Sequence, residues 1–542
     1  ARSGQGGTLT AGNIASITSL NDILNRGGKI RGGSQTFLET ENGDIRNESI
    51  VKRRYDNYGH LDYVESQGEI SSGGLLSLRS GRNLINKGAT IQSDGDAIVT
   101  AKKEISFDTV KLNKFSKKQW NNGSSETDET THVGSDIAIG GNLVLDSGEN
   151  TNLIGSKLKV RKSASFKTGS DLNIVAAENT KRVSKEETSH SGAWLFSSDK
   201  KKESTEEQVT QQQSQVDIQG DFLVDSAKDT NIVGSQVDVK GSAGIKTGGD
   251  LNVLAAMDIT KTSRKEEKKS MFVVSSSKDT AKTSMTGTNV ASNLNVDGNT
   301  VIDSGKGITI QGSNVDIGGH GLVTAKGDIN VVSGYDVKTS SEQIEKSGFV
   351  YKGGETTDEL EKTAVSSRVN AKGSLYAKSD GNILLHGSDM TADGDLAMEA
   401  EKGIGVVSAE NIKDRRHTSS DEWGFWYSKQ TEEQDSSITQ TEALAGTGGD
   451  LSMIAKEDIN IIGSKGSSKG NANIDAAKNL TIASAVESDY HYKMEEERKF
   501  DGVSFSTTRS SASLSLHQKG SRTTDETTTL TQKASSLEIG GN

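Results

Sequence analysis

Residues 143–175 read LVLDSGENTNLIGSKLKVRKSASFKTGSDLNIV, and single apolar side chains recur in them every six to eight positions. These positions are Leu145, Leu153, Val160, Phe166 and Ile174, with Gly, Asp, Asn and Ser between them. Helices need apolar residues at i, i+3, i+4 and i+7, whereas short alternating runs bounded by turn residues are typical of strands. Three strands of about seven residues with their turns form a circuit of roughly 21 residues, the size of one parallel β-helix coil.

The same pattern repeats along the chain. A Gly-Ser step follows an apolar run at Gly155, Gly234, Gly312, Gly387 and Gly463, which gives spacings of 79, 78, 75 and 76 residues. Sixteen residues after each glycine stands Asp171, Asp250, Asp328, Gly403 or Asn479, always followed by Leu or Ile. Leu76, Leu84, Ile91, Ile98 and Ile105 show a similar spacing nearer the N-terminus. The sequence therefore predicts an all-β protein, a right-handed parallel β-helix that stacks coil upon coil.

Composition supports a long, thin and regular structure. The 542 residues include 60 Gly but no Pro and no Cys, and only 31% are hydrophobic and 4% aromatic. Proline would remove a ladder hydrogen bond from any strand that is paired on both edges, so its absence fits the coils. The net charge of −12 disfavours non-specific binding to nucleic acid or to an anionic membrane. The lack of cysteine excludes disulfides and thiolate metal sites.

About 44 residues of each unit, such as 137–180, suffice for two coils, and the remainder has a different composition. Residues 181–214 hold two Lys/Glu/Ser/Thr/Gln-rich arms around a small apolar patch. Such arms predict an extruded antiparallel hairpin whose charged side chains keep its edges from pairing with other chains. A disordered loop of that length would be unusual in a compact array unless it is functional.

An aromatic patch recurs near the middle of each predicted hairpin, 36 to 42 residues after the glycine. Its members are Trp194, Phe196, Phe272, Phe349, Tyr351, Trp423, Phe425, Trp426, Tyr427, Phe500 and Phe505. Stacked units would bring these side chains into a row on one face. Two interpretations are open: neighbouring hairpins pack their aromatics on one another or on the coil, or the row contacts another protein, a glycan or a membrane. For the second interpretation the candidate contact surface comprises all of these residues except Phe500, with the 423–427 cluster the first choice.

Residues suited to catalysis are scattered. The eight histidines show no metal-ligand spacing, and the sequence has no P-loop, Gly-x-Ser-x-Gly elbow or EF-hand loop. Asp171, Asp250 and Asp328 recur at one position, but their place before each strand favours a turn-capping role over catalysis. We therefore expect no enzymatic activity, no cofactor, no bound metal and no small-molecule substrate. A carbohydrate-active β-helix enzyme is a remote alternative, since such enzymes need clustered acids or bases on one face.

The repeated units resemble a known family. Gly-Gly-Asn-Leu-Val-Leu at 140–145, Asn-Leu-Ile-Gly-Ser at 152–156 and Asp-Leu-Asn-Ile-Val-Ala-Ala-Glu-Asn-Thr at 171–180 are followed by a charged segment and a Ser-Gly-aromatic patch. This pattern is similar to the haemagglutinin repeats of filamentous haemagglutinin and of contact-dependent growth-inhibition effectors. The similarity extends from about Ser80 to Asn542. It predicts repeat units near 134–213, 214–289, 290–369, 370–445 and 446–533, with the next from 534, after a region of coils with irregular loops at 1–133.

The resemblance implies a large exoprotein at the surface of a Gram-negative bacterium, exported through an outer-membrane β-barrel transporter of the producing cell. In growth-inhibition effectors, repeats of this type are assigned to engaging the outer membrane or a surface receptor of the target cell and delivering a toxin. In the adhesins they form a shaft that contributes to attachment. The family's proline-containing secretion motif and its Val-Glu-Asn-Asn boundary motif are absent from residues 1–542, so we expect an internal segment. Toxin delivery is the leading hypothesis, and an adhesin shaft is the alternative.

Overall fold

Every regular element in the computed structural model is a β-strand, for the residues that it describes, 6–193, 196–272, 274–508 and 511–541. Three parallel sheets wind around one axis as a right-handed β-helix, which confirms the predicted fold class. Each coil contributes one strand to each sheet, and successive strands pair in register. Ile137, for example, pairs with Leu158, 21 residues later, as the predicted circuit requires. Among the described residues no helix has the length and hydropathy needed to span a membrane.

The strands of the coil form three faces. The first face consists of Thr8–Ala11, Lys29–Gly32, Glu69–Ser72, Thr90–Ser93, Asp136–Ile139, Lys157–Val160, Gln215–Ile218, Gln236–Val239, Asn293–Val296, Asn314–Ile317, Arg368–Ala371, Asp389–Ala392, Leu444–Thr447, Lys465–Ser468 and Ser536–Ile539. The second consists of Ile14–Ser19, Gln35–Thr40, Leu75–Ser80, Ala97–Ala101, Leu143–Ser147, Ala164–Thr168, Phe222–Ser226, Ala243–Thr247, Thr300–Ser304, Gly321–Ala325, Leu375–Ser379, Leu396–Ala400, Leu451–Ala455 and Ala472–Ala476. The third consists of Ile23–Arg26, Ile45–Glu48, Leu84–Lys87, Ile105–Asp108, Thr151–Ile154, Leu172–Val175, Thr230–Val233, Leu251–Leu254, Ile308–Gln311, Ile329–Val332, Ile383–His386, Ile404–Val407, Ile459–Ile462 and Leu480–Ala483.

The core is a set of apolar columns that run along the axis. In strands such as Leu143–Ser147 alternate side chains are buried, because successive residues point to opposite sides of the sheet. One column on the second face contains Val99, Leu145, Phe166, Val224, Ile245, Ile302, Val323, Ala377, Met398 and Met453, all buried. Each member packs against the equivalent residue of the next coil, so the apolar column is continuous from Val99 to Met453.

A hairpin leaves the third face after every second coil. The seven hairpins pair Ile50–Asp56 with Gly59–Ser66, Val110–Trp120 with Gly123–Val133, Ala177–Ala193 with Phe196–Gln212, Ala256–Phe272 with Val274–Val290, Gly334–Ser347 with Tyr351–Val365, Ala409–Trp423 with Tyr427–Thr441, and Ala485–Thr508 with Ser511–Lys533. We number them first to seventh in chain order. The first two lie within 1–133, so the alternation of two coils and one hairpin already operates there.

The hairpins also hydrogen-bond to one another. Their 14 strands form one continuous antiparallel sheet, which we call the fin. The junction between the third and fourth hairpins, for example, runs from the Phe196–Phe272 pair to the Val209–Ile259 pair. The sequence predicted that charged side chains keep the hairpin edges from pairing with other chains. In the structure those edges pair with the neighbouring hairpins of the same chain. Ion pairs cross the later junctions, including Lys200–Glu266 at 2.8 Å, Lys282–Glu342 at 3.1 Å and Lys429–Glu495 at 2.8 Å.

The turn of the first coil in each pair is kept tight by a glycine with positive φ. Gly234 has a φ of 54°, and a methyl group there would lie 2.6 Å from the Cβ of Ala256, the first residue of the fourth hairpin. The residues that occupy the same two positions are Gly27 and Ile50, Gly88 and Val110, Gly155 and Ala177, Gly312 and Gly334, Gly387 and Ala409, and Gly463 and Ala485. The predicted Gly-Ser steps are therefore left-handed corners, packed against the root of the next hairpin.

The serine of each Gly-Ser step is buried, and the hydroxyls of Ser156, Ser313, Ser388 and Ser464 accept a hydrogen bond from a backbone N–H of the preceding coil. Ser156 is fully buried, and its Oγ accepts a hydrogen bond from the Ser135 N–H at 3.0 Å and donates to the Ile154 carbonyl at 2.7 Å. Ser313 Oγ accepts from the Ser292 N–H at 3.1 Å in the same way. A buried backbone N–H without a partner would be costly, so the hydroxyl supplies what the turn geometry leaves unpaired.

Side chains also lock adjacent hairpins together at their roots. Asp258 Oδ1 accepts a hydrogen bond from the Gln211 N–H of the preceding hairpin at 2.6 Å, and Asp336 Oδ1 accepts from the Asn289 N–H at 2.7 Å. Asn179, Asn411 and Glu487 make the same bridge in the other repeats, always to a residue 47 positions earlier. The bridge replaces a backbone hydrogen bond where the strands diverge into separate coils.

Substituting a corner glycine should loosen the coil and the hairpin root together. We expect Gly234→Ala to destabilise this region by about 1–3 kcal/mol, because a Cβ is strained at positive φ and overlaps Ala256. Hydrogen exchange of amides around 230–260 should measure the loss. Gly12→Ala is the matched control, since a Cβ at Gly12 meets no atom within 4 Å and its backbone has ordinary φ. Equal protection in both variants would contradict the role assigned to the corner.

Candidate functional site: the outer edge of the fin

The turns of the hairpins form the edge of the fin farthest from the coil, and exposed aromatic side chains collect there. Trp423, Phe425 and Trp426 lie in and beside the turn of the sixth hairpin and are 50%, 49% and 56% exposed. Gly424 makes this three-residue turn possible with a φ of 52°. With no core at this distance from the axis, the rings can be covered only by their neighbours along the edge.

The neighbouring hairpins supply that cover on both sides. The Phe425 and Trp426 rings are stacked 4.2 Å apart, and Trp426 makes an edge contact with Phe500 of the seventh hairpin at 5.0 Å. On the other side Trp423 packs against Tyr351 of the fifth hairpin, with ring centroids 5.0 Å apart. We call Tyr351, Trp423, Phe425, Trp426 and Phe500 the edge cluster. Its rings pack pairwise, as the first interpretation of the sequence proposed, yet Trp423, Phe425 and Trp426 stay about half exposed.

A hydrogen bond fixes one end of the edge cluster. The Tyr351 hydroxyl donates to Asp421 Oδ1 at 2.6 Å, and this bond, followed by partial burial, raises the pKa of the Tyr351 phenol above its ordinary value. The ring passes over Gly353, where a Cβ would lie 2.3 Å from the hydroxyl oxygen. Glycine at 353 thus leaves room for the Tyr351 ring to lie over the strand. An aromatic ring in this position stabilises a glycine within a sheet.

The other predicted contact residues occupy the same edge without joining the edge cluster. Phe349 lies in the turn of the fifth hairpin and is 82% exposed, and Tyr427 begins the return strand of the sixth hairpin. Phe505 is 68% exposed near the end of the seventh hairpin. Phe196 and Phe272 are paired on adjacent strands at the edge, with their side chains outside the description, and Trp194 lies outside the described residues.

Sequence reasoning missed two aromatics of the edge, Tyr58 and Trp120, and it named a third, Phe500, only as a member of the aromatic patch. Phe500 was not placed in the contact set, although it contacts both Phe425 and Trp426. Tyr58 and Trp120 are 55% and 47% exposed at the turns of the first and second hairpins. The corner glycines Gly27 and Gly88 could have located Tyr58 and Trp120. They were overlooked because no serine follows them and because their spacing is shorter, as these hairpins are shorter.

The repeated aspartates are structural, as predicted. Asp250 Oδ1 accepts a hydrogen bond from the Gly307 N–H of the following coil at 2.8 Å, and Asp328 Oδ1 accepts from the Asn382 N–H at 2.7 Å. Asp171 Oδ1 accepts from the Asp229 N–H at 3.1 Å. Each carboxylate is therefore occupied in capping the next turn.

One group of side chains in the fin has the composition of a metal site. Oxygen and nitrogen atoms of Glu433, Asp435 and His491 lie within 4.8 Å of one another. His491 Nδ1 is 2.6 Å from Asp435 Oδ1, and Arg415 lies 3.6 Å from Asp435 Oδ2. The hydrogen bond to Asp435 raises the pKa of His491, so a metal ion would have to displace a more tightly held proton. This geometry fits an ion pair better than a metal site, and the absence of a bound metal stays a prediction.

Comparison with known proteins agrees with the architecture. The model of the Hemagglutinin repeat family matches residues 118–271, 272–358, 349–427 and 423–542, which is most of the chain. The chain belongs to the Hemagglutinin repeat family. A protein of Dickeya dadantii (strain 3937) named deoxyribonuclease CdiA is 21% identical over 552 residues, a match that covers 95% of this chain and 16% of that protein. No solved structure matches the chain.

These matches give the coarse identity of the segment. It is a hemagglutinin-repeat region of a secreted exoprotein, as the sequence resemblance predicted. Each family match spans coils together with hairpins, so coils and fin are parts of one repeat. The chain spans about one sixth of the length of the Dickeya protein.

The His491–Asp435 pair makes a pH-dependent contact between the sixth and seventh hairpins. Because the pKa of His491 is raised, the contact stabilises the fin fully below the ordinary histidine pKa and is lost as the pH rises through the raised value. Asp435→Asn should lower the pKa of His491 toward its ordinary value, measured by NMR titration of the imidazole protons. His386 is the internal control, because burial on the coil lowers its pKa and Asp435 plays no part. An unchanged His491 titration would exclude the pairing.

Proposed function

We propose that this segment is the non-enzymatic part of a contact-dependent growth-inhibition effector that engages the target cell's outer membrane for toxin delivery. The observation that carries the proposal is the edge cluster. Three large aromatic side chains stay about half exposed at a turn, far from the core that would otherwise explain them. Large half-exposed aromatics at a protruding position are typical anchors for a partner surface. The similarity to a protein named CdiA favours this role over an adhesin shaft.

The proposal extends to the predicted contact surface and to the partners. Phe349 and Tyr427, together with the edge cluster, would meet the target membrane or a receptor on it. Export would use an outer-membrane β-barrel transporter of the producing cell, and the protein would act at the cell surface of a Gram-negative bacterium. Parallel coils suit that route, because each coil contacts mainly its neighbours in sequence and can be added as the chain emerges.

Purified protein should bind outer-membrane vesicles through the edge cluster. We expect the triple variant Trp423→Ser, Phe425→Ser and Trp426→Ser to bind at least about tenfold more weakly, since truncating an aromatic anchor costs more than about 1 kcal/mol. Co-sedimentation with vesicles measures the change. Leu223→Ser with Val301→Ser is the control, because these side chains are 56% and 46% exposed on the coil surface instead of the fin. Absence of binding by the parent protein would favour a passive shaft.

Competition between cells separates toxin delivery from adhesion. Producing cells that display the triple variant within the full-length protein should attach to and inhibit target cells less than cells displaying the parent protein. Surface display, checked by antibody labelling, should be unchanged, because the substituted residues lie outside the coil. The segment would belong to an adhesin if the parent protein attaches cells without inhibiting them and the triple variant loses that attachment.

A further inference from the structure

The seventh hairpin reaches beyond the rest of the fin. Its pairing with the sixth hairpin ends at Tyr427–Lys499, and hydrogen bonds from the Phe500 N–H to the Trp426 carbonyl and from Gln518 Nε2 to the Phe425 carbonyl mark the limit of contact. Past this point its two strands pair only with each other, over Gly502–Thr508 and Ser511–His517. We call these two segments the distal ribbon.

The two faces of the distal ribbon have opposite character. Val503 pairs with Leu516 and Phe505 with Leu514, and cross-strand partners share a face, so these four side chains form one apolar surface. They are 55%, 57%, 68% and 65% exposed, respectively. The other face holds the Ser504–Ser515 and Ser506–Ser513 pairs, and Ser504 Oγ lies 2.6 Å from His517 Nε2.

A bulge sets the distal ribbon apart from the fin. The register shifts between Phe500 and Gly502, and Gly502 has a φ of 147°. Such bulges bend a strand and change the direction of its faces. The apolar face is thus not a continuation of a fin face, and no described residue outside the ribbon pairs with it. A solvent-exposed hairpin would form equally well with serine at all four positions. The apolar residues therefore indicate that another surface covers this face.

Charge and neighbours indicate which surface that is. In a chain of net charge −12, residues 498–522 hold five Lys or Arg and one Asp. Arg498 and Lys499 are paired with Glu496 and Glu497, at 2.7 and 3.0 Å. In the sequence, the remaining Lys and Arg of 498–522 outnumber Asp501 by three to one. At the base of the ribbon stand Phe500 and Trp426, and tryptophan side chains concentrate where a membrane meets water.

We propose that the distal ribbon lies in the interface of a lipid bilayer that contains anionic phospholipid, with Val503, Phe505, Leu514 and Leu516 facing the acyl chains. This inference rests on the proposed function, because it requires that the segment meets a membrane. The serine face and the two free strand edges stay among hydrated headgroups, since unpaired backbone groups cannot enter the hydrocarbon. The ribbon therefore lies on the bilayer, with its apolar face about 5–10 Å deep, and does not span it.

Vesicle flotation tests the apolar face directly. The parent protein should bind vesicles of phosphatidylethanolamine and phosphatidylglycerol, and Phe505→Ser with Leu514→Ser should weaken binding at least tenfold. Ser506→Asn with Ser513→Asn, on the opposite face of the same ribbon, is the matched control and should bind like the parent. Vesicles of phosphatidylcholine alone should bind severalfold more weakly because they lack the anionic headgroups. Equal binding by the apolar-face variant and the parent would overturn the proposal.

The absence of cysteine allows a second measurement that does not depend on affinity. An environment-sensitive dye on Leu514→Cys should shift to the blue with anionic vesicles, while the same dye on Ser515→Cys should not. Equal shifts at both positions would contradict a one-sided ribbon. A concentration-dependent dimer with the same shift at Leu514→Cys in the absence of vesicles would assign the apolar face to a second copy of the chain.

Binding to outer-membrane vesicles but not to lipid vesicles would overturn this inference and leave the proposed function standing, whereas binding to neither would refute both.

Discussion

The spacing of backbone hydrogen bonds governs the whole architecture. Parallel strands of successive coils and antiparallel strands of the fin are both about 4.8 Å apart, so two coils advance the axis by about 9.6 Å, the width of one hairpin. One hairpin per two coils therefore tiles a continuous sheet without gaps or overlap. A hairpin from every coil would be too wide for the available rise, and one from every third coil would leave its edges unpaired.

That constraint explains why the two coils of a pair differ at one corner. The first must close tightly, which Gly234 does in the left-handed conformation, and the second must open into a hairpin at Ala256. At this root the small side chain of Ala256 lets the closed corner of one coil pack against the open corner of the next, whereas Ile50 and Val110 occupy the position in the first two hairpins. Where glycine stands at the root instead, as at Gly334, Asn289 fills the space with its amide oxygen.

The coil could be predicted from the sequence because each strand places a side chain such as Leu145 or Ile174 in the core. Burial requires that position to be apolar, so it leaves a regular pattern. The pairing of hairpins into a fin could not, since strands such as 177–193 carry polar residues on both faces and backbone bonds leave no side-chain pattern. The edge cluster was found through its fixed distance from the corner glycines. Phe500 belongs to the same patch by that distance, but its contacts with Phe425 and Trp426 are evident only in the structure.

The strands and the turns of the fin differ in composition. Its strands are held by backbone hydrogen bonds and by surface ion pairs, each worth about 0–1 kcal/mol, so it needs no apolar side chains to stay together. Its large exposed aromatics nevertheless gather at the turns, where they stabilise least. The coil sets successive hairpins at a repeat of about 9.6 Å along its axis. An array with that spacing can make several weak contacts at once, and simultaneous contacts raise the effective concentration for each one that follows.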